Sequence, residues 1–233
     1  MSETMLQIDN LTRNFVKKLD LAGRLAQKLG SSIREEVVHA VDGVSFSIEK
    51  GGVVGLVGES GCGKSTLGRM IAGILPPTSG RIVYKDVALT DMNQQEARRA
   101  ALEIQMIFQD RFASLNPRMR VVDIIGEAAV AHGFAKQSEI HDYVSEVMQR
   151  VGLDPEYRRR YPHQFSGGQR QRIGIARALA VHPEFLVCDE AIAALDVSIQ
   201  AQVINLLVKL RQDLSLTLLF ISHDLSVVRY ISD

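Results

Sequence analysis

The sequence predicts an α/β protein: a mainly parallel sheet layered with helices, an antiparallel β region near the N-terminus and a helical subdomain inserted into the middle. Three observations predict it. Short apolar and β-branched runs alternate with stretches of helical period, the pattern of parallel strands joined by crossover helices. A glycine-rich turn, Gly58-Glu59-Ser60-Gly61-Cys62-Gly63-Lys64-Ser65, links one such run to one such helix. From about residue 112 to residue 165 the helical period continues without a strand run, so the alternation is interrupted there.

Strand runs fall at residues 37–48, 53–57, 81–84, 104–108, 185–188 and 217–221. Helical periods fall at residues 64–75, 121–135, 139–151, 168–180 and 198–212. Together they predict a single domain over residues 1–233, with its core in about 1–111 and 166–233 and the helical subdomain in about 112–165. Residues 17–36 stand apart, because Leu21, Leu25 and Leu29 share one helical face while Gly23, Gly30, Ser31 and Ser32 weaken any helix. That segment reads either as a surface excursion between two strands or as a short helix for a membrane surface or a partner.

Composition removes several classes. With 233 residues and 46% hydrophobic content the chain is long enough to bury a substantial core. Lys+Arg and Asp+Glu both number 27, so no net field favours nucleic acid or acidic lipid, and no nucleic-acid partner is expected. The run Arg158-Arg159-Arg160 reads as a solvated basic patch. Cys62 and Cys188 form neither a disulfide framework nor a metal-ligand spacing. The N-terminus carries Glu3 and Asp9 and lacks an apolar signal core, which predicts a cytoplasmic protein. No run approaches the ~18 consecutive apolar residues that cross a bilayer, so a membrane role requires a separate membrane subunit.

The glycine-rich turn is a full match to G-x-x-x-x-G-K-[ST], and its position between strand and helix gives the match its weight. Gly58, Gly61 and Gly63 let the chain turn tightly, so that backbone N–H groups through Glu59, Ser60 and Cys62 face phosphate oxygens at a helix N-terminus. Lys64 reaches the β- and γ-phosphates, Ser65 offers a hydroxyl to Mg²⁺, and Thr66 offers a second hydroxyl to the phosphates. The chain is thus expected to bind a nucleoside triphosphate. The strand at residues 185–188 ends in Asp189 and Glu190, at the sheet edge where open α/β sheets present functional groups. Asp189 is placed to hold Mg²⁺ through water, and Glu190 to orient or deprotonate the water that attacks the γ-phosphorus. His223 follows the strand at 217–221 and emerges at the same edge, within reach of a γ-phosphate. Ser166-Gly167-Gly168-Gln169 opens another helix and reads either as a second anion nest, completed by two copies facing one another, or as an ordinary glycine-rich helix start.

The order of phosphate loop, Gln109, Phe165-Ser166-Gly167-Gly168-Gln169, Asp189-Glu190, Ala194-Leu195-Asp196 and His223 resembles an ABC-type ATPase subunit over nearly the whole chain. That resemblance implies a P-loop NTPase core of RecA-like fold that hydrolyses ATP with Mg²⁺. Within the family, Ser114-Leu115-Asn116-Pro117-Arg118, the text from Tyr161 to Arg172 and the text from Ile221 to Val228 resemble the ATP-binding subunits of dipeptide and oligopeptide importers. The resemblance further implies that Gln109 contacts Mg²⁺ and the attacking water, that Phe15 stacks on adenine, and that Asp196 signals across a dimer. Ser166 and Gly168 would grip a γ-phosphate held by a second, identical or related subunit in a head-to-tail dimer. Two transmembrane subunits and an extracytoplasmic solute-binding protein are the implied partners. The implied place is the cytoplasmic face of the inner membrane, with the segment from Arg111 to Arg120 as the docking region.

Three departures from the family pattern stand out. Phe165 replaces the usual leucine, Ala191 replaces the usual proline after Glu190, and the chain stops at Asp233 where this branch usually continues into a C-terminal extension. Without proline the backbone after Glu190 is expected to be looser. The early stop reads as a truncated or incompletely represented polypeptide. A soluble ABC-type ATPase acting on ribosomes or DNA would share the site, but such proteins usually join two of these domains or insert a coiled coil, and neither is visible. A small-molecule kinase would share the phosphate loop and leave Ser166-Gly167-Gly168-Gln169 without a role.

Overall fold

The computed structural model describes residues 3–17, 36–108, 115–192 and 195–232. In chain order the elements are β1 (Thr4–Lys17), β2 (Glu36–Glu49), β3 (Val53–Val57), α1 (Lys64–Ile71), β4 (Ser79–Tyr84), β5 (Val87–Ala88), α2 (Gln94–Glu103) and β6 (Ile104–Ile107). Helices α3 (Val121–Ala131), α4 (Ile140–Arg150) and α5 (Gly167–Leu179) follow, and then β7 (Phe185–Asp189), α6 (Val197–Leu214), β8 (Thr217–Ser222) and α7 (Leu225–Ile231). They form an antiparallel sheet ordered β2-β1-β4-β5 and a parallel sheet ordered β3-β8-β7-β6, as the fold class predicted.

The parallel sheet is buried on both faces because its strands are apolar at successive positions rather than at alternate ones. Phe185, Val187, Leu219 and Ile221 pack with β1, β4 and α1, while Leu186, Cys188, Leu218 and Phe220 pack with α3 to α7. One strand thus feeds two cores with its period of two. Helix α1 presents Leu67, Met70 and Ile71 to the first core, and α5 presents Ile173, Ala176 and Leu179 to the second. Those two helices therefore lie on opposite faces of the parallel sheet.

Two helices stop short of their expected ends for one reason. At α1, Gly73 takes φ 69 and turns the chain, with Gly73 N–H donating to Met70 O and Ile74 N–H to Arg69 O. Gly133 ends α3 in the same way, so the helices cover Lys64–Ile71 and Val121–Ala131 instead of running to 75 and 135. Helix α2 has almost no apolar stripe, since Ala100 is its one buried residue, and a capping box between Asn93 and Glu96 marks its start. Strand β1 is bulged at Asn10, whose φ is 48 and whose N–H donates to Ser45 Oγ. The expectation for residues 17–36 lies, apart from its two end residues, outside the described residues.

A charge cluster ties the two sheets together at the edge of the parallel sheet where β6 and β7 begin. Lys85 Nζ donates to Glu103 Oε2 at 2.7 Å and to Glu184 Oε1 at 2.7 Å. Tyr84 Oη donates to Glu103 Oε2 at 3.1 Å and Arg99 Nε to Glu103 Oε1 at 2.7 Å. Burial raises the Glu103 pKa, but the donors on Lys85 and Arg99 outweigh it and hold the carboxyl below the usual glutamate range. A depressed carboxylate stabilises the fold above its unfolded pKa and ceases to do so as pH falls through the folded value. Glu103→Gln is therefore expected to cost about 1–2 kcal/mol at pH 7. Urea unfolding at a series of pH values should show that gap closing as the pH drops into and below the glutamate range.

Candidate active site

Strands β3, β8 and β7 are neighbours in register, with Val57 opposite Ser222 and Asp189 opposite Ile221, so their C-terminal ends share one edge. The loop Gly58 to Gly63, Glu190 and His223 leave the sheet at that edge, where functional groups of open α/β sheets collect. Gly63 caps α1 with φ 97, and a Cβ there would run into the carbonyl of Ala40 in β2. Only glycine satisfies both conditions, so the antiparallel sheet braces the turn into α1.

Lys64 is 6% exposed and folds back over its own loop. Its Nζ donates to Gly58 O at 2.8 Å and to Glu59 O at 2.7 Å, with the exposed Cys62 placing Sγ at 3.7 Å. One residue on, Ser65 Oγ donates to Asp189 Oδ1 at 2.8 Å. Asp189 is 1% exposed, and burial pushes its carboxyl pKa up against the opposing hydrogen bond from Ser65. A buried carboxylate beside a hydroxyl is a hard-oxygen pair of the kind a small divalent cation takes. Among the described residues no group of three or more His, Cys, Asp and Glu is arranged to hold a metal.

Glu190 follows with φ 44, a left-handed backbone that costs a non-glycine residue energy. Its N–H donates to Ile221 O at 3.0 Å, and its Oε1 lies 3.9 Å from His223 Nδ1. Ala191 and Ile192, which follow Glu190 where the family pattern has proline at the first position, are buried at 2% and 3% exposure. Asp224 uses Oδ1 to cap α7 through Ser226 N–H, a structural duty that separates it from the neighbouring His223.

Ser166 and Gln169 close a reciprocal cap at the start of α5, with Gln169 N–H donating to Ser166 Oγ at 3.3 Å and Ser166 N–H to Gln169 Oε1 at 3.0 Å. Gly168 faces Ile199 so closely that a Cβ would collide with its side chain, which packs this helix start against α6. Asp196 is the N-cap residue of α6 but makes no side-chain cap. Phe165 is buried edge-to-face against Tyr157 with ring centroids 6.2 Å apart, so the larger apolar side chain is accommodated. Phe15 pairs with Val38 in β2 and is 40% exposed. Gln109, residues 111–114 and Ala194 lie outside the described residues.

The structure thus brings Lys64, Ser65, Asp189, Glu190 and His223 to one edge, and it sets Ser166, Gly167 and Gly168 on the helix of the opposite face. One contributor escaped the sequence reading, since the Ala40 carbonyl leaves no trace in a side chain.

Residues 41–193 match the family described as ABC transporter. The chain belongs to the ABC transporter family. This cassette is 50% identical over 232 residues to the oligopeptide transport ATP-binding protein AppF of Bacillus subtilis, covering 99% of the chain and 68% of that relative. It is also 50% identical over 238 residues to the oligopeptide transport ATP-binding protein OppF of the same organism, covering 100% of the chain and 72% of the relative. A dimeric bacterial ABC transporter cassette superposes with a TM-score of 0.80 at 26% identity, covering 97% of this chain and 91% of that one. A post-hydrolysis dimer of that cassette bound to ADP and Pi gives 0.79 at the same identity and coverage.

Gly63→Ala is expected to weaken ATP binding by roughly tenfold or more, because a left-handed alanine pressed on Ala40 must shift the loop. Nucleotide titration, with circular dichroism to verify folding, checks this.

Proposed function

We propose that this cassette is the ATP-hydrolysing subunit of an importer of peptides or peptide-like small solutes. The observation that carries the reading is the 2.8 Å bond between Ser65 of the phosphate loop and the buried Asp189 at the end of β7. It joins the two halves of a phosphate-and-cation site across the sheet edge. Lys64, held by loop carbonyls, exchanges them for β- and γ-phosphate oxygens, while the loop's N–H groups and the start of α1 hold the anion. Thr66 adds a second hydroxyl beside Ser65. Ser65, Asp189 and Gln109 would hold Mg²⁺, which when bound neutralises charge on the phosphates.

Glu190 orients the attacking water and accepts its proton, with its backbone fixed by Ile221 O. His223, 3.9 Å from that carboxylate, hydrogen-bonds the γ-phosphate. Phe15 supplies the platform for adenine. Ser166, Gly167, Gly168 and Gln169 start a helix on the face opposite α1, so they meet a nucleotide only across a second subunit, identical or related, in a head-to-tail arrangement. Asp196, with no capping duty in α6, faces that partner.

Identity of 50% to AppF and OppF, both named for oligopeptide transport, supports the solute class. Among the described residues no helix is long and apolar enough to cross a membrane. In this reading the cassette works with two transmembrane subunits, docked through residues 111–120 at the cytoplasmic face. An extracytoplasmic binding protein delivers the solute. ATP closes the two cassettes, and hydrolysis reopens them.

Glu190→Gln is expected to retain ATP binding and lose turnover by roughly a hundredfold or more. Light scattering of that variant should show a monomer alone and a dimer with Mg²⁺ and ATP. Hydrolysis close to wild type would remove Glu190 from its role, and an ATP-bound monomer would remove the composite site of identical chains.

A further inference from the structure

The mechanism leaves Arg13 unused, yet its guanidinium lies over the exposed ring expected to receive adenine. The Arg13 guanidinium carbon sits 4.7 Å from the centroid of the Phe15 ring. Arg13 Nη1 donates to Pro76 O at 2.9 Å, in the segment that follows α1. Neighbouring bonds fasten the same strand to the same segment, since Asn14 N–H donates to Thr78 Oγ1 at 3.0 Å and Thr78 N–H to Thr12 O at 2.8 Å. Arg13 Nε, in contrast, is buried with no hydrogen-bond partner among the described residues.

That combination is informative. A guanidinium placed for hydrogen bonding alone would use its Nε, because a buried donor left unpaired is costly. Arg13 forgoes that bond and lies on an aromatic face, the arrangement a cation and a ring quadrupole favour. Phe15 nevertheless remains 40% exposed, so one face is covered by Arg13 and surface remains for another flat group.

We propose that Arg13 is a positioning residue for the base of the nucleotide: it backs the Phe15 ring and ties it through Pro76 to the element carrying the phosphate loop. This rests on Phe15 being the adenine platform. Arg13 withdraws electron density from the ring and holds it in one orientation, so that adenine stacks on the opposite face without having to order the ring first. The anchor at Pro76 follows α1, whose start holds Lys64 and Ser65. The base platform and the phosphate cradle are thereby held at a set spacing.

The test compares a non-hydrolysable ATP analogue with inorganic tripolyphosphate, which has charge and phosphates but no base. Arg13→Met should weaken the analogue about twofold to fivefold and leave tripolyphosphate unchanged. In a Phe15→Ala background, the same substitution should have no further effect on the analogue. Equal weakening of both ligands would make Arg13 a phosphate contact and overturn the proposal. Tighter analogue binding would place Arg13 on the adenine face, which also overturns it. Should Arg13→Met lower the melting temperature so far that titration fails, Arg13→Lys makes the same comparison, retaining the charge but not the flat stack. If Phe15→Ala alone binds the analogue as tightly as wild type, the platform reading itself falls; a loss in Phe15→Ala with none in Arg13→Met sinks the Arg13 assignment alone.

Discussion

Every residue of β7, from Phe185 to Asp189, is buried, and much of the architecture follows from covering both sides of that strand. Its alternate side chains enter two different cores, so a layer is required on each face. The antiparallel sheet with α1 supplies one, and the helices α3 to α7 supply the other. The strand then delivers a carboxylate, Asp189, to its end while that carboxylate is still inside the protein. Dehydration works against its negative charge, and Ser65, the second residue of α1, donates a hydrogen bond that offsets part of that cost. Core packing and chemistry meet at that bond, because the same burial that stabilises the sheet makes the carboxylate favour a cation.

The two-layer arrangement also separates the anion-binding devices. The phosphate loop enters α1 on one face, and Ser166 caps α5 on the other. In our reading the separation is what makes the ATPase depend on association: each chain has half of two sites rather than the whole of one. The Gly168–Ile199 contact places the start of α6, with Asp196, against the start of α5, so the residues read as facing a partner are packed as a unit. The cluster of Lys85, Glu103 and Glu184 lies at the far edge of the sheet, away from the chemistry. It joins the two sheets there.

Much of this was legible in the sequence. The parallel strands announced themselves as apolar runs, and the phosphate loop, Asp189 and Glu190 announced themselves by position after those runs. What escaped shares a physical character. Helix α2 buries almost only Ala100, so it has little periodicity to read, and its start is marked by a cap at Asn93 rather than by apolar spacing. Strand β1 carries Asn10 and Asn14 in its interior and needs a bulge to pair on both sides. Helix ends at Gly73 and Gly133 were overrun because apolar spacing continues past a residue whose backbone has already turned. At the site, the burial of Ala191 and Ile192 is a tertiary effect that no local pattern contains.

The left-handed backbone at Glu190 has a consequence for how such a chain changes under selection. Glycine or asparagine suits that conformation better than glutamate does, so the residue we propose for the chemistry is not the residue the fold prefers. A library sorted for thermal tolerance alone would drift toward sturdier proteins that no longer turn over. Endurance and catalysis pull in opposite directions at this one position, and glutamate persists there only where function is selected.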